Sequence, residues 1–204
     1  MSFSSVEFIY IFLPITLIIF FLCNKFLGKN SSIIVLCISS LFFYGYWKIE
    51  YVFLLIGSII TNYFFGVFIC NSQNYKKKIL VLGITFNILL LSFFKYTGFI
   101  VLNLNNFISH GIDFKGVILP LAISFFTFQQ ISYLVDSYKS ETSKHNFLEY
   151  FLFVVFFPQL IAGPIVQQKF APKQYANKNF GKFNLSKLLF GISLFVLGLF
   201  KKVF

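Results

Sequence analysis

Two adjacent amides, Gln129 and Gln130, stand inside the apolar run LPLAISFFTFQQISYLVD, together with Ser124, Thr127, Ser132 and Tyr133. An unpaired amide in lipid is costly, so such a side chain turns to the interior of a helix bundle or to a water-filled cavity. At helical spacing Ser124, Thr127, Gln130 or Ile131, and Tyr133 or Leu134 share roughly one face, a polar stripe along the helix. Two readings stand. The stripe lines a lumen, where amides and hydroxyls would hold a polar substrate, or it is hydrogen-bond glue between helices, worth about 0.6 kcal/mol per contact. Gln159, beside Pro158, carries the same two readings.

The residue types that do most chemistry elsewhere are poorly placed for it here. His110 and His145 sit in the polar stretches NFISHGIDFKG and SETSKHNF. A general base needs a setting that tunes its pKa and holds it within reach of its proton, and a solvated loop offers neither. Both histidines are read as ordinary surface residues. The His-x4-Asp pattern of soluble acyltransferases is absent, because Lys115 and Tyr150 occupy the fifth positions after them. There is no GxSxG elbow, Walker loop, GxGxxG or HExxH. Cys23, Cys37 and Cys70 have no CxxC spacing, so neither a metal site nor a disulfide framework is expected.

The elements that must position these side chains belong to a membrane protein. Of 204 residues, 58% are hydrophobic, 22% aromatic and 11% charged, and the mean hydropathy is +0.83. A soluble domain carries about 25% charged residues. So apolar a chain would expose large patches to water, and it is too hydrophobic to be disordered. All seventeen basic residues are lysine, against six acids. They fall in short gaps between apolar runs, where they orient helices rather than grip nucleic acid.

Charge-free runs mark the spans: Phe8–Asn24, Asn30–Trp47, Tyr51–Tyr75, Ile79–Phe94, Gly116–Val135, Tyr150–Gln168 and Leu188–Phe200. A helix needs about 20 residues to cross the hydrocarbon core. Ile79–Phe94 reaches that length only by continuing past Lys95 to Leu102, and the last run by passing Lys201–Lys202. The apolar residues come in blocks rather than alternating, which excludes a β-barrel. Lys25 and Lys29, then Lys76, Lys77 and Lys78, place the loops 24–30 and 71–78 in the cytoplasm and the N-terminus outside. Helix 117–135 brings the chain back inward.

The loop 167–187 breaks the alternation: it carries five lysines and no acid, yet would lie outside if 150–166 crossed. That segment reads FFPQLIAGPIV, with Pro158, Gly163 and Pro164 inside it. Proline removes a backbone donor, and broken backbone at membrane depth survives only inside protein or against a cavity. The segment is therefore expected to enter from the cytoplasm, bend near Pro158–Pro164 and return. The fold expected is all-α: one polytopic transmembrane bundle over 1–204, with about six crossings, a re-entrant segment at 150–166 and a basic cytoplasmic loop at 167–187.

The strings SSLFFYGYWKIEYVFLL, FFKYTGF, LPLAISFFTFQQISYLVDSYK, NFLEYFLFVVFFPQLIAGPIV and LFGISLFVLGLFKKV resemble the membrane-bound O-acyltransferases. Within them the chain is most similar to the bacterial alginate O-acetyltransferase branch, which also holds proteins of peptidoglycan acetylation and D-alanyl transfer. The similarity runs from about Ser4 to the last residue and is strongest over Leu119–Lys139 and Asn146–Val166. It implies a ring of helices around a thinned central funnel in a bacterial inner membrane. Acyl, acetyl by family, would pass from a cytoplasmic thioester (acetyl-CoA or an acyl carrier protein) to a cell-surface polysaccharide such as alginate. Transfer would be direct or through an extracytoplasmic partner protein, with no resident cofactor.

On that resemblance Gln129, Gln130, Tyr133, Pro158, Gln159, Gly163 and Pro164 become candidates for the tunnel wall. The family's catalytic histidine lies in a C-terminal apolar helix, and neither His110 nor His145 matches it. The chain then corresponds to the N-terminal portion of a longer fold, inactive alone. The rivals are a non-catalytic fragment or scaffold and, last, a transporter. No ionisable residue interrupts the longer runs to couple transport to an ion.

Overall fold

The computed structural model describes residues 2–105, 118–139, 146–163, 177 and 180–203, and regular structure among them is helical throughout. A π-helical turn, Phe8–Phe12, runs directly into α1 (Leu13–Phe26). Pro14 lies in the first turn of α1. It has no N–H to donate one turn back, and a local widening of the helix absorbs the loss. Gly28, at φ +91°, makes the tight reversal into α2 (Lys29–Gly45), a conformation that a side chain would oppose.

The chain continues through α3 (Glu50–Asn71) and α4 (Lys76–Asn105). As the sequence requires for a crossing, α4 passes through Lys95 without interruption. Phe8–Phe26, Glu50–Asn71 and Lys76–Asn105 are long and apolar enough to span a membrane, and α2 is an apolar helix of 17 residues. The protein is a helical membrane protein.

Helix α5 (Ile123–Tyr138) departs from the expected 117–135. Pro120 precedes it and Ala122 caps it in the left-handed region at φ 58°. For a residue with a Cβ that conformation costs about 1–2 kcal/mol. An uncharged run is therefore not a helix along its whole length. At 16 residues α5 measures about 24 Å, short of a core of about 30 Å.

The next segment is broken. Helix α6 (Phe147–Val155) starts under an Asn146 cap, whose side chain accepts from the Leu148 N–H at 3.1 Å, and it ends at Phe156 (φ −51°, ψ 108°). A short α7 (Phe157–Ala162) follows, with Pro158 in its first turn and Gly163 extended beyond it. The break falls at Phe156, just ahead of the expected Pro158–Pro164 bend. Proline is tolerated in a first turn, so the chain unwinds before Pro158 and restarts around it. Finally α8 (Leu185–Val203) runs through Lys201 and Lys202.

Long-range bonds tie the helix ends. Tyr44 and Tyr51 donate to the Leu121 and Ile118 carbonyls, joining the α2–α3 turn to the approach to α5. At the opposite end of α3, the Cys70 thiol lies 3.6 Å from the Ser137 carbonyl. Lys29 forms an ion pair with Glu149 at 2.9 Å, and Asn24 donates to the Phe180 carbonyl at 3.3 Å. The main core gathers Leu55, Ile59, Phe126, Tyr133, Leu134, Tyr150 and Phe153 from α3, α5 and α6. A second, aromatic core joins Phe8, Phe12, Phe43 and Phe157.

Candidate functional site

The polar stripe of α5 meets two asparagines from neighbouring helices. Asn62 of α3 and Asn87 of α4 are fully buried, as are Ser58, Thr127, Gln129 and Gln130. Gln130 Oε1 accepts from the Ser58 hydroxyl at 2.7 Å and from Asn62 Nδ2 at 2.9 Å. Asn62 also donates to Asn87 Oδ1 and to the Ser58 carbonyl. Asn87 returns a bond to Asn62 Oδ1 and holds the Gly83 carbonyl. Three helices are thus pinned by one amide cluster, whose side chains are buried within the protein. The glue reading therefore describes the carbonyl half of Gln130.

The other half of Gln130 and its neighbours behave differently. Gln130 Nε2, both polar atoms of Gln129, Thr127 Oγ1 and Tyr150 Oη are buried without a partner among the described residues. A turn of about 100° per residue points Gln129 away from the asparagines, toward the side where Tyr133 meets Tyr150 of α6. The rings of Tyr133 and Tyr150 have centroids 4.1 Å apart. Tyr133 also lies against Gly66, where an added Cβ would collide with its hydroxyl oxygen. Buried polar atoms without partners are rare in folded proteins and call for water or a ligand.

The remaining candidates border the helix break. The Phe157 N–H donates to Ser40 Oγ of α2 at 3.2 Å, which anchors the break against the middle of that helix. Pro158 is exposed and lines a cavity of about 400 Å³ with Phe3, Phe8, Phe195 and Leu199. Gln159 is half-buried; Gly163 ends α7, where a Cβ would meet the Gln159 backbone at 2.6 Å. The structure thus brings Gln130 and Tyr133 into the α3–α5–α6 interior, and sets Pro158 apart from them in a separate apolar cavity. Pro164, His110 and His145 lie outside the described residues.

Sequence reasoning missed Ser58, Asn62 and Asn87. Each is a single polar residue in an apolar helix, and the signal was there: an asparagine in ITNYFF and in ITFNILL is as costly in lipid as the glutamine pair. Among the described residues no group of three or more His, Cys, Asp or Glu side chains comes together. The α2–α3 turn holds an ion pair, Lys48 with Glu50 at 3.1 Å. Hydrogen bonding to that carboxylate raises the lysine above its ordinary pKa.

A helical membrane domain with an amide cluster at its centre and a broken helix beside it defines the class of protein. The particular family comes from whole-chain similarity. The peptidoglycan O-acetyltransferase of Helicobacter pylori is 40% identical over an alignment covering 98% of this chain and 44% of that protein. The probable alginate O-acetylases AlgI of Pseudomonas aeruginosa and Pseudomonas syringae are each 34% identical, with 100% of this chain aligned to 39% and 40% of theirs. By these homologies the chain belongs to the membrane-bound O-acyltransferases. It spans less than half the length of the relatives it matches. No family model and no solved structure matches it.

Proposed function

We propose that this chain forms part of the membrane wall of an O-acetyltransferase acting on a cell-surface polysaccharide, peptidoglycan or alginate by kinship. The observation that carries the reading is the similarity to the Helicobacter O-acetyltransferase along nearly the whole chain. In such a reaction a thioester C–S bond breaks, a C–O bond forms, and the acceptor hydroxyl gives up a proton. Neutral amides cannot take that proton, so the base is expected from a histidine other than His110 or His145. The amides' work is to hold: Gln129, the Nε2 group of Gln130 and Thr127 present unspent donors and acceptors along the path. Tyr133, Gln159, Gly163 and Pro164 would shape its wall, Pro158 would brace the helix break from the separate apolar cavity, and no resident cofactor is called for. The thioester comes from the cytoplasm, and an extracytoplasmic partner carries the acetyl group onward.

The topology we propose has the N-terminus outside a bacterial inner membrane, six crossings and a re-entrant 150–166. It is supported by the two ties that bring Glu149 to Lys29 and Phe180 to Asn24, since Asn24 and Lys29 flank a single turn. Glu149 and Phe180 thus lie at the same end of α1 and α2, as a re-entrant 150–166 would have it. Ser40 lies eleven residues into α2, about 16 Å from its start, a distance in keeping with a break about halfway through the membrane.

The test is acetyl transfer in membranes expressing the complete coding sequence, with Gln129→Leu against wild type. The route predicts normal expression and at least roughly a ten-fold loss of transfer. Undiminished transfer would remove Gln129 from the path. Absence of transfer in the wild type would leave the scaffold reading in its place.

A further inference from the structure

We infer that α5 carries two sites for ordered water inside the protein. One is served by Gln129 with Tyr150 of α6, the other by Thr127 with the Nε2 group of Gln130. All four side chains are buried. Gln129 Nε2 and Oε1, Gln130 Nε2, Thr127 Oγ1 and Tyr150 Oη nevertheless have no hydrogen-bond partner among the described residues. Other hydroxyls in these helices are spent locally: Ser40, Thr61 and Ser137 donate to the carbonyl one turn back, at 2.7, 2.8 and 2.8 Å. Where the protein supplies no partner to a buried polar atom, ordered water does so.

The helix period pairs these groups. Thr127 and Gln130 are three residues apart, with Cβ atoms about 5–6 Å from each other, a gap that one water closes with two hydrogen bonds of about 2.8 Å. Gln129 lies one turn from Tyr133, and the Tyr133 ring rests on that of Tyr150 with centroids 4.1 Å apart. The chemistry of the groups selects the guest. Two amide Nε2 groups turn donor hydrogens into the sites and oppose a cation, and none of the five atoms carries the positive charge that would hold an anion. A neutral molecule that both donates and accepts is required. The chain itself already encloses these atoms, so neither a lipid tail nor a further helix laid against its outside would reach them. Full burial also leaves no opening for a polyol. Gln130 marks the boundary: its Oε1 belongs to the cluster with Ser58 and Asn62, and its Nε2 to the hydrated side. The inference holds whether or not the chain takes part in acetyl transfer.

The experiment is solid-state NMR on the full-length protein in lipid bilayers, with the side-chain amides of glutamine and asparagine labelled and water as the probe. Magnetisation transfer from water is read at each amide. Gln129 and Gln130 are expected to receive it. Asn62 and Asn87 are equally buried, but their Nδ2 groups are spent on protein acceptors, so they should receive none. Tyr150→Phe keeps the ring and removes the hydroxyl, and should abolish or weaken transfer to Gln129 while leaving Gln130 as it was. Thr127→Val keeps the side-chain shape and should do the reverse. Unchanged asparagine signals show that each variant has kept its fold, and the wild-type comparison stands without either. Glutamines as dry as the asparagines would overturn the proposal. So would transfer to all four amides alike, which would mean water spread through the whole interior, or transfer to Gln129 from lipid acyl protons in place of water. Variants that keep their fold and leave both glutamine signals untouched would also overturn it.

Discussion

Asn62 and Asn87 exchange two hydrogen bonds across the α3–α4 interface, Nδ2 to Oδ1 at 3.2 Å in one direction and at 2.6 Å in the other. Removing one partner strands the other's amide in a place that water does not reach. Asn87→Leu should therefore lower stability by about 1–3 kcal/mol, measured as thermal unfolding of the protein in detergent. Asn62→Leu with Asn87→Leu should cost less than the sum of the two single changes. Strict additivity would mean that the pair is not coupled.

Gln129 and Gln130 are neighbours with opposite expected behaviour. Gln130→Leu takes away the acceptor for both Ser58 and Asn62 and should destabilise by about 1–3 kcal/mol. Gln129→Leu removes only groups without partners among the described residues, and stability should stay level or rise. Unfolding curves for the two variants side by side decide this. A larger loss in Gln129→Leu would contradict it.

Gly66 is a contact surface for Tyr133, with no room for a methyl group. Gly66→Ala should cost about 1–3 kcal/mol through forced repacking, and Tyr133→Leu in the same chain should recover part of it. Gly57→Ala on the same helix meets nothing within 4 Å and should be neutral or stabilising, because alanine is the better helix former. Equal losses at the two glycines would refute the packing argument.

The shared face of Asn24, Lys29, Glu149 and Phe180 can be read by chemistry from either side of the membrane. With the native cysteines replaced, Leu27→Cys and Phe183→Cys should react with an impermeant maleimide from one side, and Ser4→Cys from the other. Labelling of positions 27 and 183 from opposite sides would exclude the proposed return of the chain.

Much of the scaffold was legible because lipid makes few exceptions. Runs without charge became α1 to α4 within a few residues of their ends, and Lys95 did not interrupt α4. The sequence was less informative where the backbone is irregular. Pro120 and the left-handed Ala122 shorten α5 from its N-terminal side, and charge-free length carries no trace of either. Pro158 announced a break but not its position, which depends on how proline fits a first turn. At the site, the glutamine pair drew attention by being double. Asn62 and Asn87 lie 25 residues apart, and only the pairing of α3 with α4 makes them one feature.

The ion pair between Lys29 and Glu149 also sets a clock. The two residues are 120 positions apart in the chain. At a synthesis rate of about 5–20 residues per second, α2 waits roughly 6–24 seconds before its partner leaves the ribosome. Throughout that interval Ser40 has no Phe157 amide to receive, and the face of α2 that α6 later covers is turned to lipid or to the insertion machinery. The nascent protein must therefore be held open on that side, and α6 closes an assembly whose first helices were in place long before.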